Sequence, residues 1–175
     1  VRAYLKGAAS SGLLSCVKHY PGHGSVSADS HNELPVDNSS EADLVLSPFI
    51  EAVKNNVPLI MSAHILFPRI DSVPATLSSK ILSIIRNQYG FNGVMISDDL
   101  SMGAIKKNYK TPEAVIQSLK AGMDMFIHTA VRYKDHIQLI EKSFQLLLKD
   151  TTALIALEKA YQRVQEMKKR VKTFY

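Results

Sequence analysis

Cysteine is almost missing from this chain of 175 residues, where Cys16 stands alone. A lone thiol closes no disulfide within the chain, so a disulfide-stapled scaffold is excluded. Its place in the strand-like run Leu13-Leu14-Ser15-Cys16-Val17 reads as an inert core thiol in a reducing compartment. No apolar run approaches the ~20 residues of a membrane-spanning helix, and no signal-peptide pattern is present. The expectation is a cytoplasmic protein without a membrane partner. Hairpin signals are also lacking. The net charge of +5 has much of its excess at one end, in Lys159, Arg163, Lys168, Lys169, Arg170 and Lys172. Without aromatic interleaving or a recognition motif, that tail reads as a solvated helix end that suits the helix dipole, not as a nucleic-acid surface. A starting methionine is absent as well: Val1-Arg2-Ala3-Tyr4-Leu5-Lys6 reads like the middle of an amphipathic helix. The expectation is a piece of a longer protein that begins upstream.

What is present is ordinary globular material. Nearly half the residues are apolar and about a fifth are charged, enough for one domain with a real core. Periodicity and punctuation divide the chain into alternating units. A helix end over residues 1–9 is closed near Ser10-Ser11-Gly12. A first strand runs from Leu13 to Lys18, followed by a long polar loop from His19 to about Val36. A helix is expected from Ser39 or Ser40 to about Asn55, then a strand over 58–61 and a Pro-containing loop over 66–74. Ser78 opens the next helix, which runs to about Gln88 before Gly90; a third strand covers Val94 to Ser97. Thr111-Pro112-Glu113 starts a helix that ends at Ala121-Gly122, and a fourth strand spans Met123 to Ile127. Two helices follow, about 132–148 and 153–169. Four strand–helix repeats imply an α/β fold with parallel pairing and right-handed crossovers. An open doubly wound sheet and a (β/α) barrel both fit; four units are half of an eight-fold barrel, which typically needs about 250 residues.

In a parallel sheet all strand C-termini lie on one side, where α/β enzymes keep their chemistry. Here those ends carry Lys18-His19, His64, Asp98-Asp99 and His128. A single histidine beside a strand is more often structural; four ends of four with ionisable groups favour an active face, because such groups cost desolvation unless paired. Asp98 follows an apolar strand directly, and a carboxylate there can attack an anomeric carbon, bind a metal or cap a turn. Alternation points Asp99 elsewhere, as a structural hydrogen-bond partner. Asp29 and His31 stand two apart on the long loop: either the carboxylate holds the imidazole in one tautomer for proton transfer, or Asp29 bonds its own backbone in an Asx-type turn. By residue type His19, His23, Asp29 and His31 also make a zinc set, but Pro21, Gly22 and Gly24 forbid the helix that the His-x3-His spacing would suit.

The motifs Lys18-His19-Tyr20-Pro21-Gly22-His23-Gly24, Asp29-Ser30-His31, Met61-Ser62-Ala63-His64-Ile65, Pro74-Ala75-Thr76-Leu77-Ser78 and Gly93-Val94-Met95-Ile96-Ser97-Asp98-Asp99-Leu100-Ser101-Met102-Gly103-Ala104 together resemble glycoside hydrolase family 3, in particular its bacterial β-N-acetylglucosaminidases. The similarity extends to about residue 130. The resemblance implies a single catalytic domain over residues 1–175 that holds the C-terminal half, about four βα units, of a TIM-like (β/α)8 barrel and lacks the first half. It implies a retaining β-N-acetylhexosaminidase with no cofactor and no metal. Asp98 would be the nucleophile and His31, backed by Asp29, the acid/base, a departure from the two-carboxylate scheme. Lys18 and His19, with His64 on the same face, would bind the sugar. The implied substrate is terminal β-linked N-acetylglucosamine on peptidoglycan fragments, as in cytoplasmic recycling. The competing readings are an inactive half-barrel that survives by pairing with a second copy or with the missing N-terminal half, and a metal-dependent hydrolase.

Overall fold

The computed structural model describes residues 1–23, 26, 28–129 and 132–171; Gly24 of the first motif and Lys172 of the basic tail lie outside them. Helix α1, Arg2–Ser10, ends in a Schellman arrangement: Gly12 takes φ 75°, its N–H donates to the Ala9 carbonyl at 3.1 Å and the Leu13 N–H to Ala8 at 2.9 Å. A glycine tolerates that left-handed conformation, and the motif uses the next residue to satisfy the helix's last carbonyls. Leu13 therefore belongs to the helix end, is 64% exposed, and the first strand starts later than its apolar run suggests. Strand β1 is Cys16–Tyr20. Cys16 is exposed on it, which corrects the expectation of a core thiol: β1 is an outer strand of the sheet, and a register shift between Val17 and Tyr20 turns Tyr20, not Cys16, into the core.

The helix expected over 39–55 is two pieces. A 3-10 turn, Glu41–Asp43, is closed by the Asp43 carboxylate, which accepts from the Ser40 N–H at 2.8 Å and the Ser40 hydroxyl at 2.6 Å. Helix α2 begins only at Ser47 and runs Ser47–Lys54. Pro48 is the reason: without an N–H, and with a ring that clashes with the preceding turn, proline is accepted only in a first turn. Strand β2, Leu59–Ser62, follows. Helix α3, Ser79–Ser83, is capped by Ser78, whose hydroxyl oxygen accepts from the Ile81 N–H at 3.1 Å. It widens into a π-helical turn over Ile84–Gln88. Strand β3 is Val94–Asp99. A short helix with no sequence signal, α4, Gly103–Lys106, comes next. Helix α5, Thr111–Ala121, ends at Gly122 with φ 112°. Strand β4, Met125–Ile127, and helices α6, Tyr133–Leu147, and α7, Thr151–Lys168, complete the order.

The four strands form one sheet in the order β1-β2-β3-β4, every pair parallel. This is an α/β fold with each strand beside its successor in sequence. α2 lies against β1, and α7 reaches β3 while packing on α5. The main core joins Leu5, Tyr20, Phe49, Ile60, Phe67, Ile81, Ile85 and Met95. A second cluster, Leu77, Leu100, Ile105 and Ala114, sits near the end of β3. A third puts Leu119 and Leu147 against the small face Ala153 and Ala160 of α7. Phe126 of β4 packs against all three.

At the N-terminal end of the strands, the fully buried carboxylate of Asp124 is held by two arginines. Oδ2 accepts from Arg86 of the π turn at 2.6 Å and from the Met95 N–H at 2.8 Å. Oδ1 accepts from Arg163 of α7 at 2.7 Å. Arg86 also donates to the carbonyls of Phe91, Gly93 and Gly122 at 3.1–3.2 Å; burial lowers its pKa and the Asp124 charge opposes that. Removing one partner of a buried pair leaves uncompensated charge, which costs about 3–5 kcal/mol. Asp124→Asn is therefore expected to lower stability by about 3 kcal/mol in urea unfolding; a loss near that of an exposed ion pair, below ~1 kcal/mol, would contradict this account.

Candidate functional site

The parallel ladder is regular at its lower end and irregular at its upper end. Leu59, Ile60 and Met61 of β2 face Val94, Met95 and Ile96 of β3 one for one. Between Val17 and Tyr20, however, β1 spends one residue more than β2, which moves from Ile60 to Ser62. Between Ile96 and Asp99, β3 likewise spends one more than β4, which moves from Met125 to Ile127. An extra residue re-aims side chains and is common next to active sites. The two irregular steps contain Lys18-His19 and Ser97-Asp98. Beyond the first, Tyr20 is fully buried, its hydroxyl donating to the Ile81 carbonyl at 3.0 Å and its ring set edge-on to Phe49. That anchor pins the end of β1 while Lys18 stays exposed and His19 half-buried.

Asp98 is 21% exposed at the side chain. Its Oδ1 accepts from the Asp99 N–H at 2.8 Å. Its Oδ2 accepts no hydrogen bond among the described residues and faces His19 Nε2 at 3.7 Å. One oxygen is thus fixed and the other left with its lone pairs available. Burial lowers the His19 pKa; Asp98 opposes this, and Lys18, His23 and His31 add to it. The Gly103 N–H bond to the His31 carbonyl brings His31 to the same end of the sheet as Asp98.

The loop carrying His31 is built around Asp29. Its Oδ1 accepts from the His31 N–H at 2.9 Å and lies 2.8 Å from His31 Nδ1. Because a carboxylate only accepts, Nδ1 carries the proton and Nε2 is the ring nitrogen left free. The backbone bond from His31, then that from its ring, draw the Asp29 pKa down. Both readings of this pair coexist, since Asp29 makes the Asx-type backbone bond and orients the imidazole together. The corner is docked on the start of α4: Gly103 N–H donates to the His31 carbonyl at 3.0 Å and Ala104 N–H to Ser30 at 3.2 Å. A Cβ on Gly103 would lie 2.5 Å from the Asn32 carbonyl oxygen and 2.7 Å from that of His31. Only glycine permits this approach, so the segment just beyond Asp98 is the seat of the His31 loop. Ser30 is buried beneath it, with Oγ 3.5 Å from His23 Nε2, and the His23 ring lies edge-on to His19 with centroids 5.6 Å apart. Spacing alone did not single out Ser30 or Gly103, although both stand inside the quoted motifs.

Two of the four strand ends do not face this site. His64 is 1% exposed. Its Nε2 lies 3.1 Å from the Asp99 carbonyl and its Nδ1 2.8 Å from the Thr76 hydroxyl. With both ring nitrogens engaged by protein it has none to offer a sugar, which corrects its expected place on the binding face. His128 packs its ring edge-on to His136 of α6, centroids 5.3 Å apart, and lines an apolar groove of about 480 Å³ with Leu119, Phe144 and Leu147. Asp99 is the structural partner expected of it: its carboxylate accepts from the Ser101 N–H at 2.9 Å and hydroxyl at 2.8 Å, and from the Thr129 N–H at 3.1 Å and hydroxyl. Burial raises its pKa, but these bonds, Thr129 foremost, outweigh it and bring the value down. The zinc set is not assembled either: among the described residues no group of three or more His, Cys, Asp or Glu side chains is disposed to hold a metal ion.

A sequence profile described as the glycosyl hydrolase family 3 N terminal domain matches residues 1–171. The chain belongs to this family. A β-hexosaminidase of Bordetella avium is 39% identical over 130 residues, 72% of this chain and 37% of that protein. One of Psychromonas ingrahamii is 41% identical over 133 residues, 71% of this chain and 39% of that protein. The chain thus spans under two fifths of the length of these relatives. Among solved structures, a family 3 β-N-acetylglucosaminidase from Paenibacillus aligns over 95% of this chain and 32% of its own, with 31% identity and a TM-score of 0.85. Zinc-bound CbsA from Thermotoga neapolitana aligns over 99% of this chain and 39% of its own, with 30% identity and a TM-score of 0.90.

The Gly103 contact gives a direct test. Gly103→Ala is expected to push the Ser30–Asn32 corner off α4 at a cost of about 1–3 kcal/mol. In hydrogen exchange the amides of Gly103 and Ala104 should exchange at least about tenfold faster while those of β2 hold. Unchanged protection would mean that the corner is held elsewhere.

Proposed function

We propose that this chain carries the catalytic face of a retaining β-N-acetylhexosaminidase that removes terminal β-linked N-acetylglucosamine, with peptidoglycan fragments as the substrate class. On this reading its four βα units are the second half of an eight-fold barrel. The observation that carries the proposal is the Gly103–His31 backbone bond, which ties the Asp29–His31 pair to the strand end that presents the open oxygen of Asp98. Family membership and the names of the relatives support the reaction class.

The chemistry follows from the donors and acceptors. Asp98 Oδ2 attacks the anomeric carbon as the bond to the leaving oxygen breaks, and His31, protonated at Nε2, gives that proton to the departing oxygen. The product is a glycosyl ester on Asp98 and a neutral imidazole still donating from Nδ1 to Asp29. Water then gives a proton to His31 Nε2 as its oxygen bonds the anomeric carbon, and the Asp98 carboxylate leaves. A histidine acid/base keeps a second anionic carboxylate away from the ester when the nucleophile arrives. Lys18 and His19 flank the opening and donate to sugar hydroxyls.

Asp98→Ala is expected to abolish release of nitrophenol from a nitrophenyl N-acetylglucosaminide. His31→Ala should lower kcat about 10²–10⁴-fold on substrates with poor leaving groups, with much smaller losses on activated aryl glycosides and partial rescue by azide or formate. Equal loss on both substrate types would remove His31 from the acid role.

One observation favours a second reading. Ile137, Ile140, Phe144 and Leu148 recur at helical spacing along α6 and its cap, yet are between 38% and 67% exposed. An apolar stripe of this kind marks an interaction surface. Under this reading the chain is a non-catalytic piece that pairs with a second copy through α6. Light scattering should then give twice the 19.4 kDa of one chain, with Phe144→Lys restoring the single-chain mass and no glycosidase activity in either form. A monomer that turns over the glycoside would exclude it.

A further inference from the structure

Three side chains and two main-chain carbonyls form a hydrogen-bonded network under the end of β3. The Ser62 hydroxyl lies 2.9 Å from the Thr76 hydroxyl. Thr76 Oγ1 is 2.8 Å from His64 Nδ1 and 3.0 Å from the Ala63 carbonyl. His64 Nε2 is 3.1 Å from the Asp99 carbonyl oxygen. Ser62, Thr76 and Ala63 are fully buried and His64 nearly so. Since a carbonyl oxygen can only accept, Nε2 carries the ring proton. Burial disfavours the charged form of His64, against the Asp99 carbonyl bond and the charges of Asp98 and Asp99, and its pKa falls. A neutral ring with its proton on Nε2 leaves Nδ1 an acceptor, so the single Thr76 proton is shared between Nδ1 and the Ala63 carbonyl.

The Asp99 carbonyl lies one residue beyond Asp98, and Asp99 is held from every side. Its N–H is bound by Asp98 Oδ1, its carboxylate by Ser101 and Thr129, and its carbonyl by the Met102 N–H at 3.0 Å and by His64. β3 departs from regular register between Ile96 and Asp99 and is re-seated at the Asp99–Leu100 peptide, whose N–H donates to the Ile127 carbonyl at 2.9 Å and whose carbonyl accepts from His64. We infer that His64 is a positioning residue for Asp98: its buried Nε2–H clamps the Asp99 carbonyl and thereby sets the direction in which Asp98 Oδ2 is presented. This rests on the nucleophile role of Asp98 proposed above. The Asp99 carbonyl fixes the donating tautomer, and Thr76, bonded to Ser62 and the Ala63 carbonyl, holds the other edge of the ring in place.

His64→Gln places an amide N–H where Nε2–H stands; His64→Leu fills the space without a donor. A misplacement of the order of 1 Å costs about 100-fold in rate. His64→Leu is expected to lower kcat on a nitrophenyl N-acetylglucosaminide by about that factor with KM little changed, and His64→Gln to recover most of the loss. A histidine that matters only for folding would lower the melting temperature and leave kcat per folded molecule intact in both variants, which would overturn the inference. A second readout needs no turnover and uses the unmodified chain. In ¹⁵N NMR the His64 ring should show a protonated Nε2 and a bare Nδ1, unchanged from pH 5 to pH 8, and His64→Gln should keep the Asp99 carbonyl shift that His64→Leu moves. A ring protonated on Nδ1, or one that titrates freely in that range, overturns the inference even if the enzyme is active. Failure of the unmodified chain to turn over the glycoside would count against the catalytic proposal, and the NMR arm would still decide the clamp.

Discussion

The buried carboxylate of Asp124 is the constraint on which the arrangement depends. It stands where β4 begins and binds three partners from different parts of the chain: Arg86 from the π turn, Arg163 from α7 and the Met95 amide of β3. A charge with no exposed surface is tolerated only when its lone pairs are filled by well-aligned donors. Arg86 extends the effect by gathering three carbonyls from the turns that enter β3 and β4. The lower end of the sheet is thereby tied, and the upper end can depart from regular geometry without loosening the whole.

At the upper end a second carboxylate does similar work with different partners. Asp99 is neutralised by hydroxyl and backbone donors, not by cations. Among the described residues no positive charge is thus committed to it, and His19 remains beside Asp98. The two neighbouring aspartates divide the labour through their environments: one is saturated with hydrogen bonds and joins the strand ends together, and the other keeps an oxygen unbonded. The loop with Asp29 and His31 reaches this place because Gly103 lets two backbones meet at a distance that a side chain would forbid.

Much of this was legible in the sequence where local chemistry decides the outcome. Gly12, Gly90 and Gly122 end helices as their left-handed backbones require, Ser78 caps α3, and the strand–helix alternation gave parallel pairing. The long motifs contain the Asp29–His31 pair and the His19–Asp98 pair that the structure brings within 2.8 Å and 3.7 Å. What was not legible depends on contacts between distant segments. Leu13 looks like strand until the Gly12 motif claims it. Pro48 halves a helix whose apolar spacing runs on without a break. His64 and His128 stand at strand ends like the others, and only packing shows that one is buried under Asp99 and the other turned to α6. Nor does residue type reveal an extra residue in a strand, since β1 and β3 read as continuous strands.

The irregular step in β3 makes the strand unequal along its length. Side chains alternate with a period of two, so shortening β3 by one residue below Ile96 would move its whole apolar set from one face to the other. Deleting the extra residue above Ile96 would instead restore perfect pairing with β4 and turn the carboxylate of Asp98 toward the opposite layer. A more regular sheet would then aim Asp98 away from the His31 corner, and in a chain of this lineage a single-codon deletion can improve the geometry while undoing that arrangement.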